Sequence, residues 1–191
     1  MIATISWAPS LVKEIPNGHW YPPPHPEPRV GVMLHYDASG SDAGALAWFA
    51  DAKCGVSYHY LVLDDGGYVS IAPLKCAAWH AGVCRPSDQR LAYRSANRAF
   101  YGIAAATSGK EDVTPLQLLT IAFLTRKLFE VEGWPTLDLW RITSHRAEAV
   151  FGPGHPKAGQ HGRKSDPEAA DLKNPIFSPA DVRQLLGRVQ P

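Results

Sequence analysis

The sequence is short of the features that would send a chain into a membrane, onto a nucleic acid or into an oxidising compartment. No apolar run approaches the roughly 20 residues needed to span a bilayer. The N-terminus, MIATISWAPSLVKEIPNG, has no basic segment leading into a sustained apolar stretch and a small-residue cleavage site. A protein made in the cytoplasm without a signal peptide, and without membrane insertion, is expected. Charge of one sign is also lacking: 19 Lys and Arg against 18 Asp and Glu leave +1, which provides no polyanion-binding surface and argues against nucleic acid as a partner. Cysteine is scarce. Cys54, Cys76 and Cys84 are odd in number and show no two-residue knuckle spacing, so reduced structural thiols are expected rather than a disulfide framework. Internal repeats and an interdomain linker are absent as well, and 191 residues read as one domain and a monomer.

Proline, by contrast, is concentrated at the start. Pro16, Pro22, Pro23, Pro24, Pro26 and Pro28 exclude regular helix from residues 1–28 and predict an extended arm packed on a domain of residues 29–191. Trp7, Trp20 and Tyr21 can pin that arm or line a groove.

The domain is organised around Arg29 to Ser41, RVGVMLHYDASGS. Val30, Val32 and Leu34 recur every second residue, as a strand with one face in the core requires, and Gly31 and Met33 turn the other way. The strand is expected to stop at His35, where a polar loop opens, and such strand ends are where α/β proteins place their chemistry. Further along, Ser41 or Asp42 caps a short helix with Leu46, Phe49 and Ala50 on one face and Gly55 as its end. Ser57 to Leu63 and Tyr68 to Ala72 flank Asp65-Gly66-Gly67 as a hairpin, with Tyr58, Tyr60 and Val62 on one face of its first strand. Residues 73–98 read as loop, and Tyr101 to Thr107 as a buried strand.

Thr114 with Pro115 and Gln117 opens the clearest helix, which runs to about Glu132 and stops at Gly133. Its Leu116, Leu119, Phe123, Leu124, Leu128 and Val131 predict burial. Leu139 to Thr143 reads as a strand delivering Ser144 and His145, Phe151 to Lys164 as a loop over the site, and Ser178 with Pro179 and Asp181 as the start of a last helix ending at Gly187. Strands and helices alternate irregularly, which predicts a central mixed β-sheet flanked by α-helices. His35, His145 and Asp166 each stand at a strand or loop end, and two imidazoles with one carboxylate suit Zn²⁺ in a site that keeps a fourth position open. Their wide separation makes no motif by itself.

VMLHYDAS, GVSYHYLVLDDGG, AWHAG, NRAFYGI, TSHRAEA and GRKSDP stand in the order of the signature blocks of the zinc-dependent N-acetylmuramoyl-L-alanine amidases. Over roughly residues 30–170 the chain resembles that family, which is related to the peptidoglycan recognition proteins and includes single-domain phage endolysins of the type-2 class. The resemblance implies that fold, a Zn²⁺ held by His35, His145 and Asp166, and catalytic assistance from Tyr58 and Lys164. It implies Trp79, His80 and Asn97 as substrate contacts and peptidoglycan muropeptide stems as the partner. The reaction implied is hydrolysis of the amide between N-acetylmuramic acid and L-alanine, carried out by an endolysin on the cell wall after release. A recycling amidase of the cytoplasm and a non-catalytic muropeptide-binding module are the alternatives. Two departures from the family pattern stand out. Many bacterial members carry a general-base glutamate after G-I, where Ala104 stands here, and the segment between His145 and Asp166 is long and contains His155 and His161 as rival ligands.

Overall fold

A computed structural model describes residues 5–23, 27–108, 112–161, 163–164, 166–167 and 177–190. Its frame is a six-stranded sheet: β2 (Leu11–Glu14), β4 (Gly31–Tyr36), β5 (Tyr60–Val62), β6 (Tyr68–Ser70), β8 (Phe100–Ala105) and β9 (Ile142–Ser144), in the spatial order β2-β6-β5-β8-β4-β9. Only the β5–β6 hairpin is antiparallel; the other four pairings are parallel. The sheet is therefore mixed, as the irregular alternation predicts. Two small pairings complete the set: β1 (Ile5–Ser6) with β10 (Val189–Gln190), and β3 (Trp20–Tyr21) with β7 (Ala77–Ala78). The proline-rich N-terminal segment thus supplies β1, β2 and β3, each paired to a different part of the chain, and the Trp7 indole donates to Thr120 Oγ1 at 3.0 Å.

One face of the sheet carries Val32, Leu34, Tyr60, Val62, Ile103 and Ala105 against α3 (Pro115–Glu132) and α5 (Pro179–Leu186). Helix α3 starts and stops where its sequence says. Thr114 accepts from the Gln117 backbone while the Gln117 side chain reaches back to Thr114, and Gly133 closes the helix at φ 66°, a left-handed conformation that glycine adopts without strain. Ile121, Leu124, Leu128 and Phe129 are wholly buried, each contributing roughly 1.5–3 kcal/mol of transfer free energy. Leu116 and Val131, expected inside, are exposed at 39% and 59%, because they fall at the two ends of the helix, beyond the sheet it covers.

The opposite face carries α1 (Asp42–Ala50) over Leu61, Val69 and Ala104, and the segment around α2 (Ala96–Ala99) over Met33 and Phe100. Several expectations need correction. Strand β4 does not stop at His35 but runs through Tyr36, and α1 ends at Ala50, not at Gly55. Leu139–Arg141 is a 3₁₀ turn, and the strand begins only at Ile142. Tyr58 does not share a face with Tyr60 and Val62. It packs with Leu61, Leu63 and Phe49, because the chain bends at His59 and the two-residue alternation starts only after it. The three cysteines are free, and among the described residues no helix is long and apolar enough to cross a membrane.

Strand β4 passes so close to the 3₁₀ turn that a Cβ on Gly31 would lie 2.2 Å from the Arg141 carbonyl oxygen. Gly31→Ala is expected to destabilise the fold by about 2–3 kcal/mol through overpacking, read as a lower urea midpoint at unchanged slope.

Candidate metal centre

Parallel pairing is what brings the distant ligands together. Strands β4 and β9 are neighbours with Leu34 opposite Ser144, so the next residues, His35 and His145, stand side by side at the carboxyl end of the sheet. His35 is still on its strand and wholly buried; His145 opens α4 (His145–Glu148), capped by the Ser144 hydroxyl, which accepts from the Ala147 backbone N–H. Asp166 comes from the segment after the long loop, and its carbonyl accepts from the Arg146 backbone N–H at 2.8 Å. One carboxylate oxygen, Asp166 Oδ2, then lies 2.9 Å from His35 Nδ1 and 3.0 Å from His145 Nδ1. The three ligand atoms lie within 4.8 Å of one another.

The outer nitrogens determine which ring atoms carry protons. His145 Nε2 is 2.8 Å from the Ala81 carbonyl, which can only accept, so Nε2 holds the hydrogen and Nδ1 a lone pair. His80 Nε2 faces the Phe100 carbonyl at 3.3 Å, so His80 Nδ1 is the acceptor, and His35 Nε2, 3.0 Å away, must donate to it. His35 Nδ1 is then a lone pair as well. Two imidazole lone pairs and a carboxylate converge with no proton between them, an arrangement that repels itself until a cation enters. The donor set, two nitrogens and an oxygen with outer N–H groups anchored, fits zinc.

Electrostatics agree with that reading. Burial is the main cause that depresses His35 to about 4, with the nearby Lys164 charge adding a little, and burial also pushes His80 well below the usual imidazole range. At neutral pH the His35 imidazole is therefore neutral, as a ligand must be.

The other expected site residues divide by what they touch. The Tyr58 ring packs on His35 at 4.9 Å, and burial first, then the Asp166 charge, pushes its phenol well above its ordinary value. Lys164 is exposed and lines a cleft of 370 Å³ together with Trp79, His80, Asn97 and His145. Asn97 Oδ1 accepts from the backbone N–H groups of His80 and Ala81 at 3.0 and 2.7 Å, so it holds the AWHAG segment in place. His80 is buried and braces His35. Ala104 lies opposite His35 on β8, in the same cluster as Tyr58. His155 and His161 are exposed, His155 stacked on Phe151 at 4.3 Å, and neither joins the ligand group.

Two supporting residues escaped the sequence reading. Arg163 Nε donates to the Val150 carbonyl at 2.7 Å and its Nη2 reaches the Ala81 carbonyl at 3.3 Å, tying the loop to the carbonyl that orients His145. Glu148 is buried and accepts from the Ser87 hydroxyl and from Tyr93 and Thr143 at 2.6 and 2.8 Å. Its place three residues after His145, on one side of a helical turn, is the signal that could have found it.

Residues 25–169 match the family model described as N-acetylmuramoyl-L-alanine amidase. The chain belongs to this family. The enzyme is thus of the N-acetylmuramoyl-L-alanine amidase class, with peptidoglycan as the substrate of that class. Among solved structures it is similar to AmpD, at 24% identity and TM-score 0.64, with 97% of this chain and 99% of that one covered. It is also similar to the catalytic domain of XlyA (20%, TM-score 0.53, 72% and 84% covered). A third likeness is to the amidase LysC from Clostridium intestinale (16%, TM-score 0.50, 80% and 93% covered). At these identities the likeness bears on the fold, which is the mixed sheet with flanking helices. No curated protein sequence matches.

The buried imidazole makes the metal-free amidase sensitive to acid. His35 titrates near about 4 when folded against 6.5 when free, so between those values the unfolded chain binds a proton that the folded chain refuses. Stability must then fall as pH drops through that window. His35→Gln should flatten, without abolishing, the decline of the urea midpoint between pH 6.5 and 4, His80 supplying the remainder. A slope equal to that of the parent would remove His35 from the effect.

Proposed function

We propose that the amidase is zinc-dependent, that His35, His145 and Asp166 hold the metal, and that it cleaves the amide between the lactyl group of N-acetylmuramic acid and L-alanine. The observation that carries this is the convergence of two unprotonated imidazole nitrogens on Asp166 Oδ2 at 2.9 and 3.0 Å. Bound zinc supplies a Lewis acid and activates water near neutral pH.

The chain's own residues supply the rest. Ala81 and His80 orient the two imidazoles from behind. Tyr58 stays a phenol, so its part is that of an O–H donor toward the oxygen on which negative charge develops, not that of a base. Lys164, the cation at the mouth of the cleft, stabilises the same charge. With a methyl at Ala104, the strand position beside His35 contributes shape and no proton transfer.

The non-catalytic alternative has little support, since all three ligand positions keep competent side chains. For the cellular role, host-wall lysis by an endolysin-type enzyme is the first reading. An enzyme of soluble wall fragments is the second.

His35→Ala and Asp166→Ala are each expected to lose zinc and activity together; full turnover in a zinc-free variant would remove the metal from the proposal. Lys164→Ala should retain zinc by metal analysis and turn over about 100-fold more slowly, the scale of one donor to a developing charge. Intact sacculi, incubated with and without a zinc chelator and followed by mass spectrometry, should release stems beginning at L-alanine only when metal is present. Cleavage of soluble muropeptides with sacculi untouched would decide for the second role.

A further inference from the structure

A cavity of 710 Å³ opens away from the candidate metal centre, between the middle of α3, the turn that leads into β9 and the end of α5. It shares no lining residue with the cleft. Leu139 precedes β9 and His145 follows it, so the cavity and the candidate ligands lie at opposite ends of that strand. Arg126, Arg183 and Arg188 line the cavity together with Thr136, Leu137 and Leu139, and no described lining residue is acidic. We infer that this cavity is an oxyanion site that takes a phosphate monoester carried on an apolar body. The inference goes beyond the amidase reading and does not depend on it.

Three observations carry it. First, positive charge is concentrated here: the whole chain carries only +1, yet three guanidiniums meet at one cavity. Arg126 has a carboxylate partner, Glu130, at 3.0 Å along its own helix, whereas Arg183 and Arg188 form no ion pair among the described residues. Second, these two guanidiniums are half-buried and short of hydrogen-bond partners. Arg183 Nη2 donates to the Ile142 carbonyl, but the covered Nε atoms of Arg183 and Arg188 have no acceptor, and the Arg188 side chain makes no hydrogen bond among the described residues. A guanidinium withdrawn from water without a partner is unfavourable, and burial, with the nearby Arg90 charge, lowers Arg183 from its usual range. A bound oxyanion offsets that cost. Third, part of the lining is apolar. Leu137 is 89% exposed, more than any other large apolar side chain described.

These properties select a class of ligand. A phosphate monoester carries close to two negative charges and three acceptor oxygens near neutral pH, enough to engage several guanidiniums at once, whereas a carboxylate is matched by a single arginine fork. A cavity of this volume also exceeds a bare phosphate and suits a small organic molecule, whose apolar part would cover Leu137. A soluble ester and the headgroup of phosphatidic acid present the same chemistry.

Phenyl phosphate, inorganic phosphate and benzoate are titrated into the full chain by calorimetry and by NMR, and vesicles of phosphatidylcholine, with and without phosphatidic acid, are used in cosedimentation. Phenyl phosphate should bind the most tightly of the three, with amide shifts at Thr136, Leu137, Gly187 and Arg188. Arg188→Gln, which removes no hydrogen bond of the fold, should keep the urea midpoint and weaken phenyl phosphate about tenfold, the scale of one charge-assisted pair. Arg126→Gln should act in the same direction. No binding of phenyl phosphate by the parent protein, shifts confined to His80, Asn97 and His145 in the cleft, or equal affinity in Arg188→Gln would each overturn the site, and benzoate bound as tightly as phenyl phosphate would overturn the choice of phosphate. Vesicles holding phosphatidic acid that retain the parent but not Arg188→Gln would uphold the site with a lipid headgroup as its ligand. Phenyl phosphate binding without retention on either vesicle would uphold it with a soluble ester.

Discussion

The contact of Asp166 Oδ2 with His35 Nδ1 and His145 Nδ1 is the constraint around which the rest of the molecule is arranged. A carboxylate facing two lone pairs in a nearly water-free place is unfavourable by itself, so the surrounding structure has to hold it. The parallel β4–β9 register sets the two imidazoles side by side, the Arg146 N–H fixes the Asp166 backbone, and each ring's outer nitrogen is tied down. His145 is tied to the Ala81 carbonyl and His35 to His80, which in turn rests on the Phe100 carbonyl. A preorganised, self-repelling cluster of this kind binds a cation without reorganising first.

That chain of support reaches residues whose sequence offers no hint of it. A Cβ on Gly102 would stand 2.9 Å from the His80 ring, so only glycine leaves room for His80 to lie flat against β8 and reach His35. His59 serves the same strand from the next position in the sheet, accepting from the Gly102 N–H at 3.0 Å and donating to the Cys76 carbonyl at 3.1 Å. Its bend sets Tyr58 apart from Tyr60 and turns it onto His35. The local irregularity that defeats the alternation of residues 57–63 is therefore the one that delivers a phenol to His35 and the candidate metal centre.

Much of the scaffold was legible. Helix α3 carries its whole specification locally, in Thr114, Pro115, Gln117 and Gly133, and the hairpin is announced by Asp65-Gly66-Gly67. The three candidate ligands could be named by type and by resemblance. What could not be read was non-local. The β4–β9 register depends on a crossover of about a hundred residues, the 3₁₀ turn at Leu139–Arg141 is too short for any period to declare itself, and strands of two to four residues in the N-terminal segment carry no pattern of their own. His80 and Asn97, expected at the substrate, do line the cleft, yet their hydrogen bonds go to His35 and to the AWHAG backbone. A side chain's type shows what it can bond, and only the fold shows which partner it meets.

The N-terminal segment illustrates how far that distinction reaches. Its prolines exclude helix and make an extended arm cheap to order, since a chain already restricted loses less entropy on docking. Extended backbone has unpaired N–H and C=O groups, and the segment satisfies them by adding β2 to one edge of the main sheet and β3 to the strand that leads into AWHAG. The second pairing joins the position of the arm to the position of Trp79, and through Trp79, His80 and Ala81 to both imidazoles. An arm that a composition reading treats as packing is, by its hydrogen bonds, continuous with the wall of the cleft. Loosening β3 should therefore disturb the cleft before it disturbs the core under α3 and α5, to which the arm is tied separately by Trp7 on Thr120 and by the pairing of β1 with β10.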